Sequence, residues 1–293
     1  MLNIKLLNSP DGIQRHLTNA SMSGTFVEDI STISTFSSVY ERLQRSPLGR
    51  EHQGNMAGHI LLAGGAEFGG LMVKADLRAM MLAGGREIPI SILPTAAVPD
   101  STYQSIGDHA VYWFRSFGAR NVTSLPLLDR NSSNDATLAT QLRYSRLIYL
   151  TGGFMGYLCR TLIDSACWRA IHSAYEAGAV IAGSSAGAMI LCQYFYEPAT
   201  RQIKQGLGLL PNTCVLPHHN MFGKGWVARL TSQLPNAVLL GIDERTAMID
   251  DGIAGKRRDW NVYGQGTVTR YRNGVPTVYN AGQRLTDSFK EQV

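Results

Sequence analysis

Short apolar runs alternate along this chain with stretches of helical spacing, and the alternation repeats often enough to predict an architecture. The run Gly58-His59-Ile60-Leu61-Leu62-Ala63 enters a Gly64-Gly65 turn and reads as the first core strand. Residues 74–83 then read as a helix and 88–93 as a second strand. A helix over 103–117, a strand over 121–126, a helix over 136–145 and a strand over 147–150 follow. The last of these leads into Thr151-Gly152-Gly153. After a helix ending at Ala177-Gly178, where Gly178 suits a C-cap, Val180-Ile181-Ala182 is apolar again and runs through a glycine turn into another helix. Strands alternating with helices imply a largely parallel sheet covered on both faces, an α/β fold. In such sheets function gathers at the carboxyl ends of the strands.

The two ends of the chain depart from this rhythm. Residues 1–56 are rich in Ser and Thr, with poor apolar periodicity, and read as an N-terminal extension outside a catalytic domain spanning 57–293. A loosely ordered tail is the simplest expectation for it; a cap over the active site, or an arm joining a homodimer, are the alternatives. Residues 267–282 alternate around Asn273-Gly274 and predict a hairpin adding antiparallel strands at one edge of the sheet.

Composition narrows the class. At 293 residues, with 44% hydrophobic and 17% charged positions, the chain is an ordinary globular one with ample core. The formal charge is +5, but Lys and Arg are scattered without a basic run interleaved with aromatics, which argues against nucleic acid as a partner. No apolar run reaches the roughly 18 residues of a membrane span, and no leader is evident. Cys159, Cys167, Cys192 and Cys214 have neither metal-site nor disulfide-scaffold spacing, so a reducing, cytoplasmic address is expected.

Three glycine turns close predicted strands: Gly64-Gly65, Gly152-Gly153 and Gly183 to Gly187. The first lacks dinucleotide spacing and none is followed by a Walker lysine, so nucleotide binding is not expected. The third, Gly183-x-Ser185-x-Gly187, has the spacing of a nucleophile elbow, in which small residues let the backbone fold tightly and lift a serine Oγ above the strand end. A serine needs a base, and the base needs a group that fixes its tautomer. Of seven histidines, only His218 and His219 follow a predicted strand end. The pair lacks the partners of a metal site, and no metal is expected. Asp243 and Glu244 close the strand over 238–242 and are the candidates for the third group.

These stretches resemble the cyanophycinase and aspartyl dipeptidase group of serine peptidases, related in fold to class I glutamine amidotransferases. The resemblance is carried by Gly64-Gly65-Ala66-Glu67, Thr151-Gly152-Gly153, Gly183-Ser184-Ser185-Ala186-Gly187-Ala188, the segment from Gly206 to His218, and Gly241-Ile242-Asp243-Glu244-Arg245-Thr246-Ala247, in that order. It implies a flavodoxin-like three-layer sandwich with a mostly parallel sheet. It implies Ser185 as nucleophile, His218 as base and Glu244 as orienting acid, with Asp243 the runner-up. The oxyanion hole falls at the backbone N–H groups of Gly153 and Ala186. The order Ser, His, acid differs from that of an α/β-hydrolase.

Two departures bear on the substrate. Where the family carries an Asp-Gln pair before the histidine, this chain has Leu216-Pro217, and where it carries a polar residue after the Gly152-Gly153 turn, this chain has Phe154-Met155. Phe154, Met155 and His219 are therefore candidates for substrate contact. The expected function is hydrolysis of a small peptide or isopeptide bond, such as an aspartyl one, through an acyl-enzyme and with no cofactor. The rival readings are an amidotransferase-like domain, although that chemistry uses cysteine at the elbow, and a non-catalytic small-molecule binding module.

Overall fold

The structure, a computed structural model, describes residues 58–251 and 259–285; the extension expected over 1–56 lies outside the described residues. The strands predicted from apolar runs are β1 (His59–Ala63), β2 (Pro89–Leu93), β3 (Asn121–Ser124), β4 (Leu147–Leu150) and β5 (Val180–Ser184). Between and after them lie α1 (Val73–Ala83), α2 (Tyr103–Ser116), α3 (Ala136–Tyr144), α4 (Met155–Leu162), α5 (Ala166–Glu176) and α6 (Ala186–Leu191). The chain continues through β6 (Cys192–Glu197), β7 (Gln202–Gln205), β8 (Leu210–Leu216), α7 (Val227–Gln233) and β9 (Val238–Ile242). It closes with β10 (Thr246–Ile249), β11 (Trp260–Gly264), β12 (Thr267–Arg272), β13 (Val275–Asn280) and β14 (Arg284–Leu285). Asp135 and Ser165 cap α3 and α5, each side chain accepting an N–H three residues on.

Two sheets organise these elements. The first has the order β14-β11-β10-β1-β5-β4-β2-β3, parallel from β1 to β3 and antiparallel from β10 to β14. The second has the order β13-β12-β9-β8-β6-β7; the sequence pattern predicts β9 and the β12-β13 hairpin as strands but not their assembly into a separate sheet. The expected hairpin is there, with Arg272 opposite Val275, but it joins this second sheet rather than the first: β12 pairs antiparallel with β9. The reason is side-chain alternation. In β9, Val238, Leu240 and Ile242 pack into the core shared with β1, β4 and β5, while Leu239 faces outward with Cys214, Leu216 and Tyr271 onto Leu230 of α7. The opposite face of the first sheet is covered by α1 and α2. Among the described residues no helix is long and apolar enough to cross a membrane.

One core position carries a pH signature. Asp76 of α1 is fully buried, and its Oδ2 accepts the Trp113 Nε1–H at 2.8 Å. Burial pushes its carboxyl up from 3.8 to about 7. Such a group opposes folding as pH rises: below about 4 both states hold the proton, between about 4 and 7 only the folded state does, and above 7 the full penalty, on the order of 4 kcal/mol, is present. Asp76→Asn should therefore raise the Tm by several degrees at pH 8 and leave it nearly unchanged at pH 4. Thermal melts at the two pH values check this, and equal shifts at both would contradict it.

Candidate active site

The centre of the first sheet brings three strand ends together. β5 lies between β1 and β4, so Ser185 leaves the sheet flanked by the turns after Ala63 and after Leu150. Ser185 has φ 47° and ψ −109°, a conformation that costs an L-residue energy and is held by its surroundings. Its N–H donates to Ala63 O at 3.0 Å. The glycines on either side permit the bend, because a Cβ at Gly183 would lie 2.6 Å from the carbonyl carbon of Gly187.

The second sheet supplies the other groups. β8 and β9 run parallel with Leu216 opposite Gly241, so the residues after them emerge side by side. His218 also has positive φ, 46°, and its N–H donates to Gly64 O at 2.8 Å, which ties the end of β8 to the turn after β1. Its Nε2 lies 3.0 Å from Ser185 Oγ, and its Nδ1 lies 2.8 Å from Glu244 Oε1. The ring fits because residue 65 is glycine: a Cβ there would meet His218 Cε1 at 2.3 Å. Phe222 stacks on the other side, centroids 5.0 Å apart at 29°. The Glu244 carboxyl is held below its ordinary range, chiefly by its hydrogen bond to His218, and its own N–H donates to Asn220 Oδ1 at 3.0 Å.

The neighbouring residues form a separate arrangement. His219 is buried, with Nε2 2.9 Å from Tyr271 Oη and Nδ1 3.5 Å from Asp243 Oδ1. Burial lowers its pKa. Asp243 Oδ2 accepts both the N–H and the Oγ1–H of Thr267 at 2.9 Å, fastening β12 to the end of β9. The alternation of adjacent side chains has thus sent His218 and Glu244 to Ser185, and His219 and Asp243 into the second sheet.

The turn after β4 lies beside Ser185, a Cβ built on Gly152 coming within 3.4 Å of the Ser185 Cβ. Gly152 N–H donates to Glu67 Oε1 and Phe154 N–H to Ala96 O, while Gly153 N–H has no acceptor among the described residues. The Ala186 N–H is the first of α6 and has no partner inside the helix. Phe154 is half-buried beside this turn, and Met155 is buried as the first residue of α4. Burial pushes Cys159 and Cys167 up to about 11 and Cys214 up to about 12, leaving these thiols poor nucleophiles. Among the groups now in place, Phe222, Asn220 and Tyr271 were not singled out by sequence. An aromatic and an amide just after the two histidines were the available signal.

The chain is similar in sequence and in fold to known peptidases. The sequence model of peptidase family S51 matches residues 60–254. A cyanophycinase from Geminocystis herdmanii (strain PCC 6308) is 30% identical over 224 residues, covering 72% of this chain and 79% of that protein. A cyanophycinase from Trichormus variabilis is 28% identical over 223 residues, 72% of each chain. The crystal structure of a peptidase from an acI-B1 Actinobacterium superposes with a TM-score of 0.70 at 27% identity, covering 80% of this chain and 98% of that one. The fold is the glutamine amidotransferase-like one.

Proposed function

We propose, for a chain that belongs to peptidase family S51 and is a serine-type peptidase acting on peptide or isopeptide bonds, that Ser185, His218 and Glu244 are its catalytic triad. The observation that carries this reading is the continuous chain of hydrogen-bonding distances from Ser185 Oγ through the imidazole to Glu244 Oε1. Ser185 Oγ attacks the scissile carbonyl while His218 Nε2 takes its proton. Glu244 holds the Nδ1–H tautomer and stabilises the imidazolium, and His218 returns the proton to the leaving amine. The N–H groups of Gly153 and Ala186 receive the oxyanion. Water then releases the acyl group by the same steps in reverse order.

For the substrate, the reading is a short peptide bearing an aspartyl peptide or isopeptide bond, other than cyanophycin itself. It is supported by the apolar Phe154, half-buried beside the Gly152-Gly153 turn, which offers no polar group there; Leu216 packs against α7, away from Ser185, and carries no part of this reading. A reducing, cytoplasmic setting fits four cysteines that stand as buried free thiols. Residues 57–293 are taken as the catalytic unit, with 1–56 as an added segment.

A panel of α-aspartyl and β-aspartyl dipeptides, with cyanophycin alongside, tests the substrate. Release of free aspartate from dipeptides with cyanophycin left intact is expected. Turnover of cyanophycin alone would overturn the assignment.

A further inference from the structure

Glu67 stands outside the triad yet bonds both the turn after β4 and the residue before Ser185. Its Oε1 accepts the Gly152 N–H at 2.9 Å, and its Oε2 accepts the Ser184 Oγ–H at 2.8 Å. The first contact joins the turn after β1 to the turn after β4, and the second joins it to the residue directly before the nucleophile. The local backbone is bent to make this reach: Ala66 and Phe68, on either side of Glu67, both have positive φ, 55° and 56°. Two non-glycine residues in that region within three positions carry a real cost, which the surrounding contacts must offset. The Phe68 ring is locked by burial against Tyr149, centroids 4.8 Å apart, so the bend is held from below.

The consequence falls on Gly153. With Gly152 N–H held by Glu67 and Phe154 N–H held by Ala96 O, the peptide between them is fixed at both ends, and the Gly153 N–H can aim only one way. The aim of such a donor decides its worth, because an oxyanion hole acts by being set before the charge develops.

We propose that Glu67 is a positioning residue for the oxyanion hole: its carboxylate clamps the Gly152-Gly153 turn against the nucleophile elbow. This rests on the triad reading above. In this role Glu67 acts through the turn rather than on substrate, and its action is on the rate of the chemical step.

Steady-state kinetics on Glu67→Ala, Glu67→Asp and Glu67→Gln test it, with fluorophosphonate labelling of the wild-type chain run beside them. Glu67→Ala should lose about 10²-fold in kcat with KM within about threefold, close to the effect of losing one oxyanion donor. Glu67→Gln keeps an acceptor for Gly152 and presents a donor to the Ser184 hydroxyl, so it should stay within about fivefold of wild type. Glu67→Asp, shorter by one methylene and able to reach one of its two partners at a time, should fall between. If Glu67→Ala does not fold, the contrast between Asp and Gln carries the same information. A wild-type kcat in Glu67→Ala or Glu67→Asp, a loss confined to KM, or a Gln variant as slow as Ala would overturn the role of Glu67. Wild-type label landing away from Ser185 would instead overturn the triad reading, and this role with it.

Discussion

Ser185→Ala should lower kcat by a factor on the order of 10⁶, as removal of a serine nucleophile does elsewhere, while the melting temperature moves little. The loss is this large because the hydroxyl that attacks is the group held 3.0 Å from His218 Nε2 among the described residues. The fold survives because the bend at residue 185 is set by backbone: its N–H is held by Ala63 O, and Gly183 packs against Gly187. Steady-state rates and melts on the purified variant check both halves. A neighbouring control, Ser184→Ala, removes only a hydroxyl bonded to Glu67 and should cost under about tenfold. A dead Ser184→Ala beside an active Ser185→Ala would mean that the elbow has been read one residue out of register.

Glu244→Gln should lose two to four orders of magnitude in kcat with little change in stability. The amide keeps the shape but removes the charge that stabilises the imidazolium, and the equivalent change in a well-studied serine protease costs about 10⁴-fold. The carboxyl sits below its ordinary range because of His218, so it is ionised throughout the working pH range and the whole effect is exposed at neutral pH. Asp243→Asn should behave in the opposite way. Its Oδ2 receives two hydrogen bonds from Thr267, so an amide there costs about 1–2 kcal/mol of stability and leaves kcat within about fivefold. Rates and thermal melts on the two variants separate these outcomes, and a stable, slow Asp243→Asn beside a near-normal Glu244→Gln would reverse them.

Much of the first sheet could be read from the chain, since β1, β2, β4 and β5 are apolar runs closed by glycine or proline and separated by helical spacing. The elbow was legible for the same reason, because its chemistry demands small residues at fixed distances from the serine. The second sheet was legible only in pieces, as the strand over 238–242 and the hairpin around Asn273-Gly274. β6 begins at Cys192 directly after α6 ends at Leu191, with no turn residue between them, so pattern reading merges the two. Nor could residue types alone choose between His218 and His219 or between Asp243 and Glu244. The family resemblance favoured His218 and Glu244, and the physical ground for that preference is which face each strand end presents to Ser185 where β8 and β9 run side by side. Glu67 stood within a recognisable motif, but its partner Gly152 is 85 positions away, a separation that no local pattern encodes.

Activation of Ser185 by His218 and Glu244 is the proposed source of its reactivity. Its most direct test is mass spectrometry of the chain after reaction with a fluorophosphonate, which bonds covalently only to an activated serine. One phosphonyl group should be found on Ser185 in the wild-type chain, be absent from Ser185→Ala, and form far more slowly in Glu244→Gln. Label on another residue, or undiminished labelling of Ser185→Ala, would contradict the account.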